Sequence, residues 1–310
     1  MNPVLSAKNL SIGYRGTHGD HVLMKGLNLE LRPGELVCFM GPNGVGKSTL
    51  LRTLSGLQKH LAGELSRIDE RNIAVVLTER VTASFMTAAE LISYGRYPYL
   101  SWSAVLTPED ERIISESMEL VHVQHLANKK LYELSDGQMQ MVMIARALAQ
   151  QTPVMLLDEP TAHLDLNNRL EVMKVLRKLT RTTGKAILVA THELDLALQT
   201  ADTIWLATPE QTVVHGIPED LVLNGAFDEV FQFKGFDLKT GKVQHEVYRE
   251  KKVNLTGEGH WYLWTKNALE RNGYEVDGGG SELVKVEGGR WAVNGKSFDS
   301  LAGVLAELSA

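Results

Sequence analysis

The stretch Gly41-Pro42-Asn43-Gly44-Val45-Gly46-Lys47-Ser48-Thr49 constrains this chain more than any other. It follows the unbroken apolar run Leu36-Val37-Cys38-Phe39-Met40, the pattern of a strand buried on both faces in a parallel sheet. It leads into a helix predicted from Gly46 to about Ser55. A G-x-x-x-x-G-K-[ST] run between a strand and a helix is a phosphate-binding loop. Glycines at 41, 44 and 46 admit backbone angles and close approaches that side chains forbid. The successive N–H groups, those of Asn43 and Thr49 included, then converge into an anion cradle at a helix N-terminus. Lys47 would set a point charge on the β- and γ-phosphates, and the Ser48 hydroxyl would ligate Mg²⁺. The motif implies a nucleoside triphosphatase and says nothing of its class.

The rest of the pattern agrees with such a loop. Val4–Leu10 and His21–Leu31 alternate as half-buried strands, the first broken by Gly13-Tyr14-Arg15-Gly16, the second turning Leu23, Leu27, Leu29 and Leu31 inward. Ile73–Leu77, Val154–Leu157 and Ala186–Ala190 are further buried-type strands. A helix is predicted at about Asn167–Thr180, and residues 86–150 are mostly helical in pattern. Strands alternating with helices imply an α/β fold with a parallel sheet. Beyond residue 216 the character changes. A hairpin is predicted around Thr240-Gly241, and Arg249-Glu250-Lys251-Lys252 reads as a linker. A strand from Val253 and a helix at about His260–Asn272 follow. Two or three strands (near 274–276, 282–287 and 290–293) and a helix at Asp299–Leu308 complete a small second unit. Its mini-core is predicted from Trp261, Trp264 and Ala268 on one helix face and from Leu301, Val304, Leu305 and Leu308 on another. The expected domains are 1–248 and 249–310. Gly257-Glu258-Gly259 reads as a turn.

A net charge of −6 gives no electrostatic footprint for nucleic acid. The lone Cys38 suits a reducing compartment and a buried apolar role. The N-terminal residues lack the basic start and apolar stretch of a signal peptide, and no apolar run reaches the ~18 residues of a membrane span. Work at a membrane would therefore mean docking onto the helices of other subunits.

Two acids end an apolar strand at Asp158-Glu159. Strand C-termini in a parallel sheet face the ligand crevice. Asp158 is placed for the Mg²⁺ shell, and Glu159 is placed to act as general base on an attacking water. Leu134-Ser135-Asp136-Gly137-Gln138 precedes a helix predicted over Met139–Gln150. Here the chain resembles the ATPases of ABC transporters, whose signature motif is usually LSGGQ; Asp136 replaces the more frequent glycine. Ala190-Thr191-His192-Glu193 resembles the switch-histidine loop, and Ala162-His163-Leu164-Asp165 resembles the D-loop. Tyr14 lies where the family places an aromatic on the adenine face. Glu79 occupies the place of a glutamine that contacts Mg²⁺ or the attacking water. Met141 stands where many members carry arginine, and is expected to pack. The resemblance covers about residues 3–230. It implies a P-loop NTPase fold with a RecA-like core, an antiparallel β subdomain and a helical subdomain, extended by a small C-terminal α/β unit.

The resemblance also implies a mechanism. Two copies form a homodimer in which Ser135, Gly137 and Gln138 of one face the ATP held by the other, with Asp165 at the seam. ATP and Mg²⁺ are the expected ligands, with Lys47, Glu159 and His192 in the chemistry. Gly95-Arg96-Tyr97-Pro98-Tyr99 resembles a stretch of the ATPases of iron-siderophore, haem and cobalamin importers, where it lines the groove for a permease's coupling helix. The expected partners are therefore transmembrane permease subunits and, through them, a substrate-binding protein. The expected location is the cytoplasmic face of the inner membrane. A soluble, non-transport ABC ATPase and the ATPase of an exporter are the alternatives. The second unit is open to a dimerisation or regulatory role.

Overall fold

In the computed structural model, the described residues are 2–309 apart from 18, 67–71, 78–84, 103, 233–235, 239–241, 244–248, 250, 277–278 and 281. Contacts divide the chain into two compact units, Met1–Gln232 and Phe233–Ala310.

The first unit begins with β1 (Leu5–Tyr14), β2 (His21–Leu31) and β3 (Leu36–Met40), followed by α1 (Lys47–Leu54), β4 (Ala62–Leu65) and β5 (Ile73–Val76). A helical region follows: α2 (Ala88–Ser93), a 3-10 stretch over Tyr94–Tyr99, α3 (Pro108–Leu120) and α4 (Asp136–Ala149). Next come β6 (Val154–Asp158), α5 (Leu166–Thr183), β7 (Ala186–Ala190), α6 (Leu194–Thr200), β8 (Thr203–Ala207), β9 (Val213–Gly216), α7 (Pro218–Leu223) and α8 (Ala226–Phe231).

Six strands form the main sheet in the order β5-β6-β7-β3-β8-β9, parallel except for β9. Every residue of β3, β6 and β7 is buried, which is why these strands are continuous apolar runs. β6, β7 and β3 are neighbours, so the loops leaving their C-terminal ends meet at one edge of the sheet. Those loops are Glu159 onward, Thr191-His192, and Gly41–Gly46.

The second sheet of this unit is antiparallel, in the order β2-β1-β4. β1 does not break at Gly13 as its composition suggests. Gly13 pairs with Val22, and a Cβ on it would fall 2.0 Å from the His21 carbonyl oxygen, so glycine is what lets the strand run on to Tyr14. The inward set of β2 also differs from strict alternation. Met24, Leu27, Leu29 and Leu31 are buried, whereas Leu23 is only partly so. An irregularity in the ladder, with Gly26 in the left-handed region (φ 65°), shifts the register by one.

Three helices of the first unit open with reciprocal capping boxes: Thr87 with Glu90 at α2, Thr107 with Asp110 at α3, and Ser135 with Gln138 at α4. The last starts α4 at Asp136, earlier than the apolar pattern alone indicates. Met141 is buried in it, as expected. Four strands are not among those predicted: β4, β8 and β9 here, and one in the second unit.

The second unit contains β10 (Phe236–Asp237), paired antiparallel with β11 (Lys242–Val243), and a five-stranded sheet with two helices. Those elements are β12 (Lys252–Thr256), α9 (Gly259–Arg271), β13 (Glu275–Val276), β14 (Glu282–Glu287), β15 (Arg290–Val293), β16 (Lys296–Phe298) and α10 (Leu301–Ser309). The sheet order is β13-β12-β14-β15-β16, with β12 parallel to both of its neighbours. Its core includes Val253, Leu269, Tyr274, Val284, Trp291 and Val304. α10 contributes the residues expected of it. α9 is rotated from its expected facing: Trp264 is 68% exposed and Trp261 40%, while Thr265, Ala268 and Leu269 are buried. Thr265 shares the buried face with Leu269 and with Tyr262, which packs on the core, and its Oγ1 accepts a hydrogen bond from the Trp291 indole N–H at 2.8 Å.

Candidate nucleotide site

The loop between β3 and α1 closes on itself through Lys47. Its Nζ donates to the Gly41 carbonyl at 2.9 Å and to the Pro42 carbonyl at 3.2 Å. Gly44 (φ 79°) and Gly46 (φ 110°) hold left-handed conformations, and Gly46 caps α1. The ammonium is buried, which pushes its pKa down; the Glu159 and Asp158 carboxylates oppose that shift. Asp158 is buried too. Burial pushes its pKa up, a hydrogen bond donated by the Ser48 hydroxyl pulls it down, and the charge of Glu159 adds to the rise. The site therefore sets a cation, a hydroxyl and a desolvated carboxylate together at a helix N-terminus.

These donors fit a magnesium ion. Ser48 and Asp158 offer hard oxygens that already touch each other. Mg²⁺ takes one or two protein oxygens and completes its shell with water and phosphate, so this pair offers enough protein ligands. Glu79, the third residue assigned to the metal from sequence, lies outside the described residues.

Tyr14, at the end of β1, is tied to the same loop. Its hydroxyl is 3.1 Å from the Thr49 Oγ1, and the residue is 52% exposed, leaving ring surface for a base to stack on.

Glu159 follows β6 directly. It is a non-glycine residue in the left-handed region (φ 47°), anchored by its N–H to the Ala190 carbonyl at 2.9 Å. Strain of this kind is kept where surrounding structure over-determines a functional side chain. Its Oε1 is 3.5 Å from His192 Nδ1. The carboxylate and the imidazole thus face each other over the edge where β6 and β7 end.

A second cluster joins the starts of α4 and α5. Ser135 Oγ accepts from the Gln138 N–H at 3.3 Å, and Gln138 Oε1 accepts from the Ser135 N–H at 3.2 Å. Gly137 is buried, and a Cβ on it would lie 2.7 Å from the side chain of Asn168. Asp165 caps α5: its two carboxylate oxygens accept from the Asn168 N–H and the Asn168 side-chain amide, both at 2.9 Å. Sequence reasoning named Ser135, Gly137, Gln138 and Asp165 but missed Asn168, which the Asp-x-x-Asn spacing at a helix start flags as a capping partner. It also missed Arg169 and Glu193, whose ion pair at 2.6 Å has no local sequence signal.

The stretch Tyr94–Tyr99 presents Tyr94, Tyr97 and Tyr99 at the surface, each about half exposed or more, while Arg96 turns inward. The Arg96 guanidinium donates to Asp110, to the Ala149 carbonyl and to Gln151. It also lies 4.2 Å from the centre of the Tyr99 ring.

Residues 24–162 match the family model described as ABC transporter, and residues 250–309 match that of the iron ABC transporter C-terminal domain. An ABC transporter ATP-binding protein of Methanocaldococcus jannaschii is 37% identical over 88% of this chain and 98% of its own. The iron(3+)-hydroxamate import ATP-binding protein of Bacillus subtilis is 36% identical over 74% of this chain and 87% of its own. Among solved structures, an ABC transporter in an inward-facing conformation superposes with a TM-score of 0.67 at 26% identity, over 74% of this chain and 90% of that one. A dimeric bacterial ABC transporter cassette superposes at 0.59 and 28% identity, over 69% and 99%.

Proposed function

The chain belongs to the ATP-binding proteins of ABC transporters, which hydrolyse ATP, and we propose that it powers uptake of a metal chelate such as iron-siderophore, haem or cobalamin through a separate permease. The observation that carries this reading is the pairing of the cassette with a second unit matching the iron ABC transporter C-terminal domain. The siderophore and hemin import names of relatives at 31–36% identity support it. The expected boundary, 1–248 for the cassette and 249–310 for the extension, follows the span of the C-terminal match, whereas contacts group residues 233–248 with the second unit.

In this reading the loop N–H groups and Lys47 bind the β- and γ-phosphates, and Tyr14 stacks on the adenine. Ser48 and Asp158 hold Mg²⁺, which when bound neutralises phosphate charge. Glu159 takes the proton of the attacking water, and His192 orients that water and the γ-phosphate. A second copy completes each site with its Ser135, Gly137 and Gln138 at an α4 N-terminus, where N–H groups and the helix dipole stabilise developing negative charge. Such an arrangement is two-fold and self-complementary. No helix among the described residues is long and apolar enough to cross a membrane. By its likeness to import ATP-binding proteins the chain is assigned a peripheral place on the cytoplasmic face, docked to permease subunits through the tyrosine-bearing surface around 94–99, with a substrate-binding protein as an indirect partner and no nucleic acid. Deleting the chain from its own cell and measuring uptake of labelled ferric siderophore, haem and cobalamin tests the assignment. Loss of one uptake, restored by the native chain and not by Lys47→Ala, is the expected result. Native uptake of all three would overturn the chelate reading.

A further inference from the structure

The loop that carries His192 and the loop that resembles the D-loop are joined within one subunit by a single side chain. Arg169 sits in the first turn of α5, and its backbone N–H closes that turn on the Asp165 carbonyl at 2.9 Å. Its Nε donates to the Leu164 carbonyl at 2.6 Å, and another guanidinium nitrogen lies 2.6 Å from Glu193 Oε1. Glu193 is the residue after His192, and the same Oε1 is 3.8 Å from His192 Nε2. The Glu193 N–H in turn bonds the Thr191 hydroxyl at 3.0 Å, so the backbone that carries this carboxylate is tied to the His192 loop. From the other side, Ala162 N–H bonds the Glu159 carbonyl at 3.0 Å, and Leu164 N–H bonds that of Thr161 at 3.3 Å. A closed circuit therefore runs from Glu159 through 161–164 to Arg169, on to Glu193, and back through His192 to Glu159.

We infer that Arg169 is a positioning residue for hydrolysis, locking the 162–165 loop to the His192 loop so that the general base and the histidine keep their 3.5 Å approach. The inference rests on the assignment of Glu159 and His192 to the hydrolytic step. A fork of planar donors suits this role, because one guanidinium reaches a carbonyl and a carboxylate together, which an ammonium does not. The pair is partly shielded, with Glu193 at 17% side-chain exposure and Arg169 at 33%, so it restricts geometry at modest cost in stability. Because Asp165 and Leu164 belong to the proposed seam, Arg169 also makes the orientation of His192 depend on where that seam loop lies.

The test compares native protein with Arg169→Met, Arg169→Lys and Glu193→Gln, reading steady-state ATP turnover, ATP binding under non-turnover conditions, and the thermal midpoint. For Arg169→Met the expected result is a fall in kcat on the order of tenfold to a hundredfold, the usual consequence of a misplaced catalytic group, with ATP binding within about twofold of native. Arg169→Lys should fall between, since it keeps a charge for Glu193 but not both contacts. Glu193→Gln breaks the ion pair from the other side, leaves α5 untouched, and should lower kcat in the same direction. Native kcat in both Arg169→Met and Glu193→Gln, in a protein that Glu159→Gln inactivates, would overturn the inference. So would a loss of ATP binding or thermal midpoint matching the loss of turnover, which would make Arg169 a residue of the fold. Native turnover in Glu159→Gln itself would instead strike the reading beneath it.

Discussion

Gly137 and Asn168 lie so close that a Cβ on the glycine would come within 2.7 Å of the asparagine amide. Position 136, beside it, is exposed. The packing therefore leaves room for the Asp136 side chain and none for a side chain at 137. Gly137→Ala is expected to push Asn168 off Asp165, disturb the starts of α4 and α5 together, and lower ATP turnover by about tenfold or more. Asp136→Gly is expected to have a much smaller effect. Phosphate-release assays on the two variants check the contrast, and equal losses would remove the packing explanation.

Glu159 reaches His192 from a strained backbone, and in the proposed mechanism its carboxylate takes a proton from water. Glu159→Gln keeps the shape and hydrogen-bonding reach but removes the basicity. Turnover should fall by about 10² to 10⁴-fold, while ATP binding persists. Since hydrolysis is what would release the two copies, the variant should accumulate as an ATP-dependent dimer on gel filtration. A monomer at saturating ATP would contradict the shared-seam arrangement.

The sequence made the nucleotide loop, the buried parallel strands and the Asp158-Glu159 pair legible because each is a local pattern: a glycine spacing, an apolar run, an acid at a strand end. What stayed hidden depends on residues distant in the chain. β8 follows α6 without a loop signal, and its burial of Trp205 is set by pairing with β3. Leu23 and Met24 exchange places because of a bulge, which periodicity alone cannot locate. The two tryptophans draw the predicted face of α9 toward Trp264, whereas the buried face is that of Tyr262, Thr265 and Leu269, completed by the bond from Thr265 to the distant Trp291. Arg169 and Glu193 are joined only by the fold.

Arg96 and Asp110 form a buried ion pair at 2.8 Å, each with a side chain 7% exposed. Hydrogen bonds from the Thr107 hydroxyl and N–H, and then the one from Arg96, pull the Asp110 carboxyl down to about 2. Replacing Arg96 by methionine leaves a buried carboxylate without its cation, and the Ala149 carbonyl and Gln151 side chain without its N–H groups. Removing one partner of a buried pair costs about 3–5 kcal/mol; the surviving Thr107 bonds should hold the loss toward the lower end. A depressed carboxylate pKa stabilises above its unfolded value and loses that contribution as pH falls through the folded one. The native advantage over Arg96→Met should therefore shrink from about pH 4 downward, measurable by denaturant melts at pH 7 and pH 3.

Within the second unit, Thr265 and Trp291 share a buried hydrogen bond at 2.8 Å. Thr265→Val preserves shape and strands the indole N–H. A buried donor left unsatisfied costs about 1–3 kcal/mol. Trp291 also meets the Trp261 ring edge-on with centroids 5.6 Å apart, so the variant should shift tryptophan emission as well as the melting of this unit. Trp264→Ser, on the exposed side of the same helix, should remove only its own exposed emission and leave the melting of this unit near native. Thermal melts followed by fluorescence distinguish the two, and equal destabilisation by both would place the helix the other way round.

Lys185 and Cys38 give the alkaline range two opposing trends. Burial lowers the Lys185 ammonium to about 8, and burial raises the Cys38 thiol to about 12. A lysine whose folded pKa lies below its unfolded value binds fewer protons when folded, so stability rises with pH between about 8 and its unfolded value near 10.4. The cysteine does the reverse: above its unfolded pKa near 8.5 the unfolded chain sheds a proton that the folded one keeps, and stability falls. Lys185→Met removes the first trend and leaves the second. Relative to native, the variant should lose stability difference at up to about 1.4 kcal/mol per pH unit across that window, the limit for one proton. Cys38→Ala should shift the difference with the opposite sign. Buried Lys47, also lowered, shares the lysine trend in both proteins and cancels from the comparison. Urea melts of the three proteins from pH 7 to pH 10.5 read the slopes directly, and parallel curves for native and Lys185→Met would mean that the ammonium at 185 stays charged in the folded protein throughout.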